Sequence, residues 1–127
     1  MSLPTQTYQV TRADLVAYAE ASGDHNPIHQ DEQVALEVGL PGVIAHGMYT
    51  MALAARAVEA WFPGAEVVSL GAKFTHPVVV PAEGSVEVVV AGEAKPGDDG
   101  LTTVALSVTS GGQKVLGMPK AVVRADG

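Results

Sequence analysis

The residues best suited to chemistry in this chain are its histidines, of which there are only four. Two of them lie in the segment Asp24-His-Asn-Pro-Ile-His29, which also contains an acidic residue. A carboxylate and an imidazole that are close together on a turn can converge on one point. Asp24 and His29 could there hold a water molecule and transfer protons to and from it.

Two other interpretations of this segment stay open at the level of the sequence. Asp24 and Asn26 are residue types that form turns, and His29 could cap the helix that follows. His25 and His29 have the i,i+4 spacing that suits zinc when both lie on one helix, although Pro27 between them disfavours such a helix. We predict no metal site and keep a metal at this cluster as an alternative.

A second segment that could take part in chemistry is Ala45-His-Gly-Met48, which precedes a long apolar stretch. The first turn of a helix offers unpaired backbone N–H groups and the positive end of the helix dipole. Gly47 would let a ligand oxygen approach that backbone, as the stabilisation of an enolate-like oxygen requires. The alternative is structural, with Gly47 serving close helix–sheet packing and His46 a satisfied N-terminal side chain. His76 is expected to end a strand and to have no chemical role.

Other catalytic chemistries find no support in the composition or the motifs. Because the chain has no cysteine, it has no thiol nucleophile, disulfide or cysteine-ligated zinc site. No serine lies in a nucleophile-elbow context, and there is no glycine-rich phosphate loop. A formal net charge of −7 argues against nucleic acid and anionic membranes as partners.

Length and hydropathy predict one small domain that spans residues 1–127. No apolar run is long enough to span a bilayer, and no charged-then-apolar leader opens the chain. We therefore expect a soluble, cytoplasmic protein.

The elements that must position these residues are predicted to be mainly helices in the first half of the chain and strands in the second half. Thr11-Arg-Ala-Asp14 predicts the start of a helix, and Gly23 predicts its end. Asp31–Val38 predicts a second, short helix. The segment 24–29 would then lie in the loop between these two helices.

A longer helix is predicted from about His46 to Phe62, where apolar residues occupy nearly every side. This pattern is typical of a helix that is buried all round, with Met48 and Met51 in the core. Fourteen of the 20 valines lie from Val67 onward, in runs separated by turn signals. Strands are predicted at Tyr8–Val10, Val67–His76, Glu83–Glu93, Leu101–Ser110 and Val115–Arg124. A buried helix against an antiparallel sheet of about five strands predicts an α+β fold.

Three segments, in this order, resemble the MaoC-like (R)-specific enoyl-thioester hydratases and dehydratases. Tyr18-Ala-Glu-Ala-Ser-Gly-Asp-His-Asn-Pro-Ile-His29 resembles the hydratase motif of that family, whose Gly-Asp-x-Asn-Pro-x-His core corresponds to Gly23 through His29. Ile44-Ala-His-Gly-Met-Tyr-Thr-Met51 resembles its helix-opening segment, and Lys73-Phe-Thr-His-Pro-Val78 the segment that leads into its outer strands. The opening Tyr8-x-Val-Thr-Arg-x-Asp-Leu-Val-x-Tyr-Ala19 is similar to that of the actinobacterial 3-hydroxyacyl-carrier-protein dehydratase subunit.

The resemblance implies a single hot-dog domain, in which a curved antiparallel sheet wraps a long central helix. It also implies Asp24 and His29 as the catalytic dyad and the Gly47 amide as the donor to a thioester carbonyl. Asn26 would shape the loop or bind near the water, and His25 would have no catalytic role.

The implied activity is the reversible hydration of an enoyl thioester to an (R)-3-hydroxyacyl thioester. No cofactor is expected, because coenzyme A or phosphopantetheine enters as part of the substrate. The implied partners are an acyl thioester, an acyl carrier protein, and a second copy or a related subunit in a dimer. The alternatives are a hot-dog thioesterase and a non-catalytic partner subunit of a heterodimeric dehydratase.

The net charge of −7 conflicts with an anionic carrier as the ligand, unless basic residues gather near the site. The candidates for such a patch are Lys73, Lys95, Lys114, Lys120 and Arg124.

Overall fold

The computed structural model describes residues 1–97 and 99–124, which form three α-helices and six strands. The helices are α1 (Arg12–Ser22), α2 (Glu32–Glu37) and α3 (Gly47–Trp61). The strands are β1 (Ser2–Val10), β2 (Glu66–Phe74), β3 (Val86–Pro96), β4 (Leu101–Ser110), β5 (Gln113–Lys114) and β6 (Leu116–Arg124). The predicted helices and strands are therefore all present, and β1 begins earlier than predicted. None of the helices in the described ranges is long and apolar enough to cross a membrane.

One antiparallel sheet contains all six strands, in the order β1-β3-β4-β6-β2, with β5 paired to β4. Helix α3 contacts β1 and β2, which lie at opposite edges of this sheet, and also β3. A sheet can reach one helix from both edges only if it curves around that helix. The predicted α+β architecture with a wrapped central helix is confirmed.

The core lies between α3 and the concave face of the sheet. Helix α3 contributes Leu53, Ala54, Ala57 and Val58, all of which are buried. On β4 the inward residues Val104, Leu106 and Val108 alternate with more exposed ones, as a half-buried strand requires.

The prediction that α3 is buried all round is wrong. Met48, Ala52, Arg56 and Glu59 are exposed and follow one another at helical spacing along one face. Alanines on both faces made the apolar stripe appear continuous in the sequence.

The ends of α1 and α2 are set by the residues expected from capping chemistry. The Thr11 hydroxyl accepts from the Asp14 amide, and the Asp14 carboxylate accepts from the Thr11 amide, which completes a capping box. Gly23 ends α1 with φ of 79°, in the left-handed region that glycine favours. The side chain of Asp31 caps α2, so the suggestion that His29 caps that helix is wrong.

Candidate active site

A cavity of about 620 Å³ opens at the N-terminal end of α3, between the loop after α1 and the end of β2. Most of its wall is apolar, and its polar groups gather where the loop meets the helix. Its lining includes Tyr18, Ser22, Asp24, His29, Leu40, Ile44, Gly47, Met48, Thr50, Phe74, Thr75, His76, Val78, Val115 and Leu116. A pocket of this kind, apolar with a few convergent polar groups, is typical of a small-molecule site.

His29 lies in the wall of this cavity and is only 7% exposed. A short 3₁₀ turn, Pro27–His29, carries its side chain back toward the core. The His29 Nδ1–H donates to the Ile44 carbonyl oxygen at 2.8 Å, because a carbonyl can only accept. In the neutral ring this bond places the lone pair on Nε2, where the ring can accept a proton.

Asp24 faces the same cavity from the start of the loop. Its carboxylate accepts from the Asn26 amide at 3.2 Å, and the Asn26 side chain accepts in turn from the Ile28 amide at 3.2 Å. These two bonds form consecutive turns and hold the loop between Asp24 and His29 in one shape. A carboxylate oxygen of Asp24 lies within 4.8 Å of a His29 ring nitrogen. The two predicted dyad residues are thus brought together, and Asn26 lies in the loop that joins them.

His46 lies directly behind the dyad, although the sequence indicated only a structural position for it. Its ring is stacked on that of His29, with centroids 3.8 Å apart and planes inclined by 23°. Its Nε2–H donates to the backbone carbonyl oxygen of Asp24 at 3.0 Å. Spacing in the sequence could not reveal this arrangement, because the stack joins residues on different elements.

Gly47 begins α3 at the edge of the cavity, one residue after His46. The Tyr49 and Thr50 amides both bond to the His46 carbonyl, and no side chain in the described residues caps this end. The two amides before them, of Gly47 and Met48, are thus left for a ligand. A Cβ at position 47 would lie 2.9 Å from the Phe74 ring, so only glycine fits against Phe74 as it stands.

Other cavity residues revise or extend the expectations from the sequence. Met48 is 60% exposed and lines the cavity, so its prediction as a core residue is wrong. Thr50 is buried at the same helix end and was missed. His76 lines the opposite wall, with its Nδ1–H donating to the Lys114 carbonyl at 3.0 Å. Tyr49 lies between Met48 and Thr50 in the chain but does not line the cavity. Burial raises the pKa of its hydroxyl, and the nearby Asp14 charge adds to the rise, so this group stays protonated at neutral pH.

The geometry argues against a zinc ion shared by the histidines. His25 is exposed and lies outside the cluster, which instead brings Asp24, His29 and His46 within 4.8 Å of one another. A zinc ion lies in the plane of each imidazole that binds it, at about 2.0–2.1 Å. Two rings stacked 3.8 Å apart with only 23° between their planes cannot both point at such an ion. The ring arrangement therefore suits packing better than shared coordination.

Two of the candidate basic residues adjoin cavity-lining segments in the chain. Lys73 and Lys114 each directly precede a segment that lines the cavity, at Phe74 and at Val115. Arg124 is paired with Glu66 at 3.0 Å, and Lys95 lies on β3 opposite Thr103. Among these candidates, Lys73 and Lys114 are thus the two whose neighbours in the chain line the cavity.

Comparisons with known proteins agree with this architecture. Residues 2–111 match the family described as "MaoC like domain". The chain is 43% identical over 79 residues to 3-hydroxyacyl-thioester dehydratase X of Mycobacterium tuberculosis, covering 62% of this chain and 28% of that protein. It is 36% identical over 92 residues to the mitochondrial 3-hydroxyacyl-[acyl-carrier-protein] dehydratase of Arabidopsis thaliana, covering 71% of this chain and 55% of that protein.

A solved structure described as a MaoC-like dehydratase superposes with a TM-score of 0.93 and 37% identity. The superposition covers 99% of this chain and 40% of that one, so this chain corresponds to part of a longer relative. It likewise spans about a quarter and about half of the two curated relatives it matches. The wrapped helix, the strand order and these likenesses together confirm the hot-dog fold. Because the family match extends over most of its length, this chain belongs to the MaoC-like domain family.

Proposed function

We propose that this protein is an (R)-specific enoyl-thioester hydratase and 3-hydroxyacyl-thioester dehydratase, with Asp24 and His29 as its catalytic dyad. The observation that carries the proposal is the meeting of three groups at one end of α3. These are the Asp24 carboxylate, the Nε2 of His29 and the Gly47 amide, all at the wall of one apolar cavity. The two curated relatives reported above are described as dehydratases of 3-hydroxyacyl thioesters, which supports the same assignment.

The dyad can perform the proton transfers that this reaction needs. In hydration, a water molecule held between Asp24 and His29 gives a proton to the pair while its oxygen bonds to C3 of the enoyl chain. The pair then delivers a proton to C2, so that H and OH have added across the double bond. Dehydration follows the same path in reverse. His29 is suited to accept a proton because its Nδ1–H is held by the Ile44 carbonyl.

The N-terminus of α3 can stabilise the charge that develops on the thioester oxygen. Addition at C3 makes an enolate-like intermediate, and the Gly47 amide would donate to its oxygen. The helix dipole favours negative charge at the same point. The Phe74 ring fills the space where a Cβ at Gly47 would lie, so the oxygen would reach the amide from the cavity that Gly47 lines.

The cavity wall fits an acyl chain, and the mouth fits an anionic carrier. Leu40, Ile44 and Leu116 offer apolar contacts beyond the polar groups. Coenzyme A or a carrier-protein phosphopantetheine would enter as part of the substrate, with its phosphate near Lys73 and Lys114. These two lysines would supply a local positive field in a chain whose net charge is −7.

A dimer, either with a second copy or with a related subunit, fits the exposed surface of the fold. Among the described residues, the edge strand β2 pairs with a strand on one side only, and it carries the exposed residues Val67 and Val68. An open strand edge with exposed apolar residues is a ready surface for another chain.

The test is a hydration assay with crotonyl-coenzyme A and the same acyl group on a carrier protein. We expect the enoyl absorbance to fall, the (R)-3-hydroxyacyl thioester to form, and no free thiol to appear. Release of thiol instead would identify a thioesterase and contradict the proposal. Binding without conversion, by protein purified alone and with its co-purifying subunits, would identify a non-catalytic partner subunit.

A further inference from the structure

His46 is the unusual residue at the centre of the site. It is 1% exposed and forms the N-cap of α3, yet its side chain makes no capping bond. Across residues 1–97 and 99–124, its Nδ1 is the one buried side-chain nitrogen or oxygen without a hydrogen-bond partner. An unsatisfied buried polar atom opposes folding, and an apolar ring would fill the same space without that cost. The stability of the fold therefore does not explain why position 46 is a histidine.

We propose that His46 is a positioning residue that holds both members of the dyad; this inference rests on the proposed function. Its Nε2–H bonds to the Asp24 carbonyl, and its ring face supports the His29 imidazole. Asp24 and His29 lie at the two ends of a loop whose residues 24–27 are exposed. A single ring that contacts both ends fixes the distance between them.

The same residue also ties the dyad to the amide that would hold the thioester oxygen. His46 directly precedes Gly47, and its carbonyl accepts the Tyr49 and Thr50 amides that begin α3. The contacts of the His46 side chain and backbone thus join the dyad loop to the first turn of the helix. Tyr18 packs against His46 with ring centroids 4.8 Å apart, and Tyr49 packs edge-on against Tyr18. This aromatic cluster restricts the position of the His46 ring.

These contacts explain why Nδ1 of His46 has no hydrogen-bond partner in the described residues. The proton must be on Nε2 to reach the Asp24 carbonyl, so Nδ1 carries the lone pair. The ring is therefore held through its Nε2–H and its faces, and Nδ1 has no hydrogen-bond partner in the described residues.

Two substitutions separate the two contacts of His46. His46→Phe keeps a flat ring against His29 and removes the bond to Asp24, whereas His46→Gln keeps a donor and removes the ring. We expect each to lower kcat by about tenfold or more, since small displacements of reacting groups have effects of this size. KM should change less than about twofold. The thermal unfolding temperature of His46→Phe should change little, because loss of the bond to the Asp24 carbonyl oxygen is offset by removal of the unsatisfied Nδ1.

Val58→Ala is the matched control on the same helix. Val58 is 1% exposed and lies away from the cavity lining. The Val58→Ala substitution should lower the unfolding temperature and leave kcat of the folded enzyme unchanged. If His46→Phe behaves in the same way, the role of His46 is structural and the proposal is wrong.

A double-mutant cycle tests whether His46 acts through the dyad. In an Asp24→Asn background, His46→Phe should cost less than about twofold in kcat, because the carboxylate that the bond to the Asp24 carbonyl oxygen positions is already lost. Full additivity of the two losses would overturn the proposal. So would wild-type kcat in His46→Phe.

An NMR measurement keeps this inference separate from the proposed activity. Long-range ¹H–¹⁵N correlation of the histidine rings should place the His29 proton on Nδ1 in the wild type. In His46→Gln the His29 signals should broaden or shift toward a mixture of tautomers. Unchanged His29 signals would contradict the positioning role even in an active enzyme. A wild type that fails to hydrate enoyl thioesters but shows the shift would contradict only the proposed function.

Discussion

The two ends of helix α3 differ sharply in what they bury. In the described part of the chain, the buried polar side chains are His29, His46 and Thr50, and all three lie at the N-terminal end. Farther along the helix, Leu53, Ala54, Ala57 and Val58 face an apolar sheet. The chain thus confines buried polarity to the part of the fold where a ligand can enter.

This difference follows from the cost of burying polar groups. An unpaired buried polar atom costs about 1–3 kcal/mol, whereas buried apolar area stabilises the fold by about 25 cal/mol per Å². Burial of side chains at the apolar end of α3 therefore stabilises the fold. The polar end buries side chains that are less favourable for stability and whose arrangement serves the proposed chemistry. Substitutions at the two ends should consequently change different measurements.

The largest effect is expected from the dyad at the polar end. Asp24→Asn and His29→Gln should each lower kcat for enoyl-thioester hydration by at least about 10²-fold, because each removes a proton-transfer group. The free energy of unfolding should stay close to that of the wild type. Steady-state kinetics and urea unfolding of the same preparations provide the two measurements. A fully active Asp24→Asn variant would contradict the assignment of the dyad.

The opposite pattern is expected at the apolar end. Leu53 is 3% exposed and belongs to the core cluster, so Leu53→Ala removes a buried side chain and leaves a cavity. We expect the free energy of unfolding to fall by about 2–5 kcal/mol. Measured well below the unfolding temperature, kcat should stay within about twofold of the wild type. A large loss of kcat in a fully folded Leu53→Ala protein would show that the two ends are coupled.

The sequence predicted much of this division but not its details. The bounds of α3 and β4 follow from local patterns, since turn signals flank them and β4 alternates with a period of two. Asp24 and His29 share one loop, so their meeting could be anticipated from neighbouring residues. The His46 stack and the exposure of Met48 depend on contacts between separate elements. The alanines along α3 also leave its buried face undetermined until the sheet is in place.

A smaller effect is expected from Gly47, which begins α3 at its polar end. An added methyl group would lie 2.9 Å from the Phe74 ring and beside the amide that would hold the thioester oxygen. Gly47→Ala should lower kcat/KM by about tenfold, since it crowds the oxyanion site. Gly71→Ala is the control, because a Cβ at Gly71 meets nothing within 4 Å.

Phe74→Ala in the Gly47→Ala background distinguishes two causes of that loss. If the loss comes only from the displaced Phe74 ring, the double variant should recover most of kcat/KM. If it comes from the methyl group beside the oxygen, the double variant should stay impaired, which is the result we expect. Wild-type kcat/KM in Gly47→Ala would remove this residue from the proposed mechanism.

The smallest effect is expected from the lysines next to the cavity-lining segments. Substituting them tests whether positive charge, like buried polarity, is concentrated at the N-terminal end of α3. Lys73→Glu and Lys114→Glu should each raise KM for an acyl-coenzyme A by about threefold or more at low salt, with kcat unchanged. The control is Lys95→Glu, which makes the same change in net charge on β3. That strand contacts the C-terminal end of α3, where Gly92 packs against Trp61.

Equal KM increases in all three variants would mean that the ligand responds to the net charge of the chain. An increase confined to Lys73→Glu and Lys114→Glu, and lost at high salt, would place the carrier phosphate at the polar end.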